Sequence, residues 1–239
     1  MITLKIDGRE LKAEEGQTIL QVAGESGIEI PTLCHHEAIE PYGACRLCIV
    51  EITKGGRSRI VASCLYPVED GLEVKTNSPK VLSNRKMILE LLLARCPNNK
   101  VIKELASKMG IEQPPFKPEY LEDEDCIVCG LCVRACEQVV GASAISLVNR
   151  GITKEPAAPF FESADDCIGC GSCYYVCPTG AIKMEDRGDT RIIHNWKIEF
   201  KLKKCNVCGN YWAPEKQLDY IRRKWNLPDN FFDICPNCK

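Results

Sequence analysis

Long apolar runs are missing from this chain of 239 residues. A membrane-spanning helix needs roughly 18 consecutive apolar residues, and the longest candidate stretch, Met87–Ala94, falls far short. An excess of charge of either sign is missing too. Lys and Arg number 31 against 33 Asp and Glu, a net of −2, with a pI near 6.0 and a mean hydropathy of −0.17. A general binder of nucleic acid or anionic membrane would show a basic excess, so no nucleic-acid partner and no membrane insertion are expected. The N-terminal residues alternate like a strand and lack the apolar stretch of a signal peptide, so the expected location is cytoplasmic. No G-x-G-x-x-G and no Walker loop occur, and no Ser-His-Asp or Cys-His arrangement suggests a nucleophile. No catalytic residue is assigned.

Cysteine is plentiful instead, with 17 residues, or about 7%, near the level that marks disulfide scaffolds in short secreted chains. An odd count, the missing signal peptide and repeated C-x-x-C spacing argue against disulfides. Two sulfurs spaced this way on a tight turn converge on one metal, so ligation of iron or zinc is the expectation.

The rest of the chain divides around these cysteines. Ile2–Ile6 and the run ending at Ala13 read as a hairpin turned at Asp7-Gly8. Thr18 suits the N-cap of a helix over Ile19–Ser26, closed by Gly27. Residues 49–53 and 58–64 read as a second hairpin through Gly55-Gly56. Asn84–Arg95 and Lys100–Gly110 show helical apolar faces. The stretch 113–119, rich in proline, reads as a linker, and the acidic stretch 122–125 as a solvated turn. A pattern then appears twice, over 126–147 and 167–184, with a hairpin and loop expected between the copies around Pro156 and Pro159. Residues 192–204 are strand-like, and a compact cysteine module fills 205–239.

The repeat carries the most specific motif. Cys126, Cys129, Cys132 and Cys136 have the spacing C-x2-C-x2-C-x3-C, and so do Cys167, Cys170, Cys173 and Cys177, followed by Pro178. Both match the run of bacterial two-cluster ferredoxins, in which the fourth cysteine crosses to the other cluster. That resemblance implies one [4Fe–4S] cluster on Cys126, Cys129, Cys132 and Cys177, and another on Cys136, Cys167, Cys170 and Cys173. Gly130, Gly169 and Gly171 suit a backbone wrapped closely around a cluster. A pair of zinc sites would favour separated C-x-x-C knuckles instead.

Cys34, Cys45, Cys48 and Cys64 form a second set: one C-x-x-C flanked by two distant cysteines within a hairpin–helix–hairpin context. This resembles the [2Fe–2S] β-grasp ferredoxin domain, with a longer first loop than the plant-type spacing. The two sets together resemble the N-terminal region of the large iron–sulfur subunit of NADH dehydrogenase. They are equally similar to the diaphorase small subunit of NAD-reducing hydrogenases and to the N-terminal part of NAD-linked formate dehydrogenases. The resemblance covers roughly residues 1–185 with one departure. Relatives carry a further cluster with one His and three Cys after a leucine-rich helix; here Cys96-Pro-Asn-Asn-Lys follows that helix, so this cluster is expected to be absent. Cys96 is left over, and a lone cysteine of this kind is more often a small buried hydrophobe. The cysteine motifs of a hydrogenase active site or a molybdopterin domain do not follow.

Cys205, Cys208, Cys235 and Cys238 form the third set, two knuckles separated by 26 residues. They resemble zinc ribbons and rubredoxin-like sites. Zinc is the first expectation, with iron or an additional Fe–S cluster as the alternative. Lys201, Lys203 and Lys204 read as a solvated basic face, and the tail aromatics as packing.

The expected class is α+β with four parts: a [2Fe–2S] ferredoxin-like domain over 1–80, a helical hairpin and linker over 81–120, a two-cluster ferredoxin-like domain over 121–190, and a small four-cysteine metal module over 191–239. The resemblance implies an electron-transfer subunit of an NAD(P)H-linked oxidoreductase complex, its candidate forms being an electron-bifurcating transhydrogenase, hydrogenase or formate dehydrogenase of an anaerobe. Its implied partners are a flavoprotein subunit that oxidises NAD(P)H, other subunits of the complex, and ferredoxin. The alternative is a free polyferredoxin-like carrier.

Overall fold

The computed structural model describes residues 1–113, 115–116 and 124–239. The expected linker over 113–119 and the acidic turn over 122–125 lie largely outside the described residues. The chain divides into two compact units, Met1–Cys129 and Gly130–Lys239.

In the first unit, β1 (Ile2–Ile6) and β2 (Arg9–Ala13) pair antiparallel, with Ile2 opposite Ala13 and Ile6 opposite Arg9. Asp7 and Gly8 both take positive φ, +49° and +82°. That backbone twist matches the twist of the flanking strands, which is why the hairpin closes in two residues. The helix α1 (Ile19–Glu25) begins in a capping box: the Thr18 hydroxyl accepts from Gln21 N, and the Gln21 side-chain oxygen accepts from Thr18 N. Two further strands, β3 (Ile49–Lys54) and β4 (Arg57–Ala62), form the second hairpin.

A short strand, β5 (Glu73–Lys75), completes a five-stranded sheet ordered β2-β1-β5-β3-β4. It runs parallel to β1 and antiparallel to β3. Three residues are too few for alternation to register in a sequence, and only the sheet reveals this strand. Alternate residues Leu4, Ile6, Val50, Ile52 and Val74 face α1, where Ile19, Val22 and Ala23 close the core; Cys48 and Cys64 belong to the same cluster.

The helices α2 (Pro79–Arg95) and α3 (Lys100–Lys108) pack on each other. Periodicity alone starts α2 at Asn84, more than one turn late. The Ser78 hydroxyl accepts from Val81 N and Pro79 occupies the first helical position, where its missing N–H costs nothing.

In the second unit each copy of the repeat opens a short helix from a left-handed glycine. Gly130 (φ +72°) precedes α4 (Leu131–Arg134), and Gly171 (φ +75°) precedes α5 (Ser172–Tyr175). A π-helical turn, Ala135–Val140, continues α4. Between the copies, β6 (Ser146–Val148) and β7 (Glu155–Ala157) make the expected hairpin.

A four-stranded antiparallel sheet follows, ordered β11-β10-β9-β8, from β8 (Met184–Arg187), β9 (Thr190–Ile193), β10 (Ile198–Lys204) and β11 (Tyr211–Pro214). The strand-like stretch 192–204 is thus two strands. A turn at His194–Trp196 and the left-handed Lys197 (φ +51°) reverse the chain between them. The cysteine module also contains a helix, α6 (Glu215–Trp225), which packs on β10 and β11 through the buried Leu218. Among the described residues no helix is long and apolar enough to cross a membrane.

Candidate iron–sulfur and metal centres

In the first unit Cys34, Cys45, Cys48 and Cys64 are all buried. Cys34 and Cys45 sit in the loop between α1 and β3, Cys48 at the entry to β3, and Cys64 just beyond β4. The Cys45 amide donates to Cys34 Sγ at 3.3 Å, and Cys48 Sγ lies 3.4 Å from Cys64 Sγ. Within the close Cys48–Cys64 pair, the contact favours ionisation of one thiol and opposes that of the other. Hydrogen bonding to Cys48 pushes Cys64 up, while the bond from Cys64 brings Cys48 down to about 6. Hydrogen bonding to Cys34 and burial push Cys45 up. Four thiols crowded in an apolar core ionise together only when a cation compensates the charge.

Arg85 of α2 positions the backbone beside these cysteines, a role not legible in the sequence. It is 5% exposed, and it donates Nε to Leu47 O at 3.1 Å and Nη2 to Ile49 O at 2.9 Å and Thr76 O at 3.2 Å. Nη1 reaches Asn77 Oδ1 at 3.3 Å. The guanidinium thereby pins the backbone on both sides of Cys48 and places positive charge beside its sulfur. An arginine in a helix that also exposes Leu82, Met87 and Leu91 carries no signal that it points inward.

In the second unit Cys136, Cys167, Cys170 and Cys173 line one partly open, almost wholly apolar cavity with Val140, Ile145, Ile168, Ile193 and Trp196. Burial pushes the Cys136, Cys167 and Cys173 thiols up, Cys173 to about 12. Ala144 N donates to Cys136 Sγ at 3.3 Å, and Trp196 Nε1 to Cys173 Sγ at 3.4 Å. Cys132 packs in the same apolar cluster as Cys173, with Cys177 at its margin, and Cys177 Sγ accepts from Ala181 N at 3.2 Å. Cys126 and Cys129 close the first unit, where Val128 N donates to Cys126 Sγ at 3.4 Å and Arg95 Nε holds Cys126 O at 2.7 Å.

Gly169 lies between two of these cysteines at φ +74°. A Cβ there would sit 2.7 Å from the Phe200 ring, so the close approach of β10 to the loop requires glycine. Arg191, 8% exposed, donates Nη1 to Gly169 O at 3.2 Å and pairs through Nε and Nη2 with Asp186 at 2.8 and 2.9 Å.

The tail places Cys205, Cys208, Cys235 and Cys238 with all Sγ atoms within 4.8 Å of one another, and Cys208 to Cys235 at 3.9 Å. Four sulfurs about 2.3 Å from one ion have tetrahedral edges of about 3.8 Å, so this set suits a single ion. Cys235 N donates to Cys205 Sγ at 3.3 Å, and backbone donors bring Cys205 down to about 6. Lys203 pairs with Asp233 at 2.9 Å, which ties the first knuckle's strand to the approach of the second. Trp212 and Phe231 both contact the ring of Phe232, tilted at 6.2 Å and edge to face at 5.0 Å.

Other side chains take the plainer roles. His36 Nδ1 accepts from Ala38 N at 3.2 Å, and His194 pairs with Glu185 at 2.7 Å on the surface. Tyr174 and Tyr175 meet edge to face at 5.2 Å, with Tyr175 70% exposed. Cys96 is fully buried at the end of α2, and burial pushes its thiol up to about 12.

Backbone or indole N–H groups aimed at sulfur recur at all these sets. A neutral thiol accepts weakly and a thiolate strongly, so the donor pattern fits cysteines that ligate as thiolates.

Comparison with known proteins agrees with this geometry. A family model described as a 2Fe-2S iron–sulfur cluster binding domain matches residues 1–79. Two described as 4Fe-4S dicluster domains match 120–184 and 166–210. The subunit alpha of an NADPH-Fe(3+) oxidoreductase from Geobacter sulfurreducens is 35% identical over 173 residues, covering 63% of this chain and 20% of that protein. Subunit HndD of an NADP-reducing hydrogenase from Solidesulfovibrio fructosivorans is 36% identical over 178 residues, covering 63% and 30%. The 75 kDa subunit of NADH-ubiquinone oxidoreductase from Reclinomonas americana is 34% identical over 174 residues, covering 63% and 25%. The match thus spans between a fifth and three-tenths of these relatives' length. A crystal structure of an NAD+-reducing [NiFe]-hydrogenase in the H2-reduced state superposes with a TM-score of 0.65 at 31% identity, over 75% of this chain and 86% of that one. The chain belongs to the iron–sulfur subunit family shared by NADH dehydrogenases and NAD-reducing hydrogenases.

Proposed function

We propose that the chain is the electron-transfer subunit of an NAD(P)H-linked oxidoreductase complex, relaying single electrons between a flavoprotein subunit and a further partner. The observation that carries this reading is the succession of one 2Fe-2S and one 4Fe-4S dicluster region along a single chain. The relatives named as subunits of NADPH- and NADH-linked enzymes support it.

In this reading Cys34, Cys45, Cys48 and Cys64 hold a [2Fe–2S] cluster in a β-grasp domain over 1–80. Cys126, Cys129, Cys132 and Cys177 hold one [4Fe–4S] cluster; Cys136, Cys167, Cys170 and Cys173 hold the other, both within 121–190. Cys205, Cys208, Cys235 and Cys238 of the module over 191–239 hold a zinc ion that staples a tail too small to bury a core of its own. When bound, the three clusters exchange one electron each. The chain's own residues fix the thiolates, direct N–H dipoles at them and keep water from the apolar cavities, and these are the levers that set a cluster's potential. The complex works in the cytoplasm, where thiolates stay reduced. An electron-bifurcating assembly of an anaerobe, with ferredoxin among its partners, is the most specific form of the proposal.

The test is anaerobic purification from the native source. A flavoprotein should copurify, and NAD(P)H should bleach the cluster absorbance only while it is present. Bleaching of the isolated chain by NADH alone would refute the relay.

A further inference from the structure

We infer that Trp196 sets the reduction potential of the site formed by Cys136, Cys167, Cys170 and Cys173, through its indole N–H on Cys173 Sγ. This rests on the proposed reading of those four cysteines as [4Fe–4S] ligands.

Trp196 is not part of the repeat. It is carried by the turn His194–Trp196 between β9 and β10, so the second sheet, outside the two copies of the motif, delivers it to the cavity. Only 3% of the residue is exposed, and it packs against Cys132, Cys173, Ile193 and Phe200. Its Nε1 lies 3.4 Å from Cys173 Sγ. An indole nitrogen is a donor only, so the direction of this bond is fixed and the sulfur accepts.

A donor aimed at a ligating sulfur favours the more negative oxidation level of the site over the less negative one. Hydrogen bonds to sulfur are among the terms that set cluster potential. The bond therefore raises the potential of this site. The neighbouring cation, Arg191, acts differently. Its guanidinium is matched by the Asp186 carboxylate and its remaining bond goes to the Gly169 carbonyl, so it fixes the loop between Cys167 and Cys170, while the indole donates to Cys173 Sγ as the Ala144 amide does to Cys136 Sγ. Redox cycling here is the gain and loss of one electron, exchanged with a poised mediator, while the indole proton stays on Nε1.

The experiment compares the full chain with its Trp196→Phe variant, which keeps an aromatic ring and removes the N–H. Both are purified without air, assayed for iron, and titrated with mediators while EPR follows each cluster. The expected result is unchanged iron content with one [4Fe–4S] midpoint moved to lower potential, the other and the [2Fe–2S] midpoint staying in place. Unmoved midpoints at full iron content would overturn the inference and leave the ligand reading intact. An unmutated chain without cubane signals would remove both. A second measurement needs no variant. The chain labelled with indole-15N tryptophan and reduced should show one 15N hyperfine coupling to a [4Fe–4S] spin by pulsed EPR, and its absence would also overturn the inference.

Discussion

Replacing Arg85 by methionine tests whether the first cysteine set is held from behind by α2. Met nearly preserves the buried stem but strips out four hydrogen bonds, to Leu47 O, Ile49 O, Thr76 O and Asn77 Oδ1. Leu47, Ile49 and Thr76 are 1%, 6% and 1% exposed, so water does not readily replace the guanidinium at their carbonyls. A buried acceptor stripped of its donor costs about 1–3 kcal/mol, and bonds to a charged donor sit at the upper end of the scale. Some of this is offset because an isolated buried cation is itself expensive to desolvate. The net expectation is a loss of about 3–5 kcal/mol, a large share of the roughly 5–15 kcal/mol that holds a typical domain folded. Anaerobic denaturant titration of the full chain, followed at the [2Fe–2S] visible absorbance, reads this directly. The midpoint should fall steeply for Arg85→Met and less for Arg85→Lys, which retains the charge but cannot span four acceptors. A loss under about 1 kcal/mol for Arg85→Met would refute the reasoning, since it would mean that the carbonyls around Cys48 do not depend on the guanidinium.

Three further outcomes follow from the same geometry. Cys129→Ala should lower cluster iron from about ten to about six atoms per chain, the size of one cube; retention of all ten by elemental analysis contradicts the ligand assignment. Cys238→Ser should remove one metal ion per chain without touching cluster iron, since the tail sulfurs form a set of their own; mass spectrometry of metals released by a mercurial reagent gives both the count and the element. Gly169→Ala should destabilise the second unit by about 2–4 kcal/mol, combining left-handed backbone strain with overpacking against Phe200. Gly188→Ala, at φ +59° with open space around it, should cost only the strain, about 1–2 kcal/mol. Equal thermal shifts for the two variants would mean that Phe200 yields freely.

The cysteine spacings by themselves pointed to metal and iron–sulfur ligation, because each C-x2-C pair on its tight loop is a local feature, as are the hairpins and the capped α1. The folded chain is what gathers the four sulfurs of the tail, where Cys205 and Cys235 lie 30 residues apart. The tertiary structure alone decided which distant groups act on those sulfurs. The short β5 exists only because β1 and β3 flank it, and the reversal at Lys197 turns an apparently single strand into two. That reversal brings Trp196 to Cys173 across 23 residues, and α2 brings Arg85 to the carbonyls beside Cys48 across 36 and 38. An indole in a strand-like run and an arginine in a helix look like any others in the sequence; burial against a particular sulfur or carbonyl is a property of the packed chain.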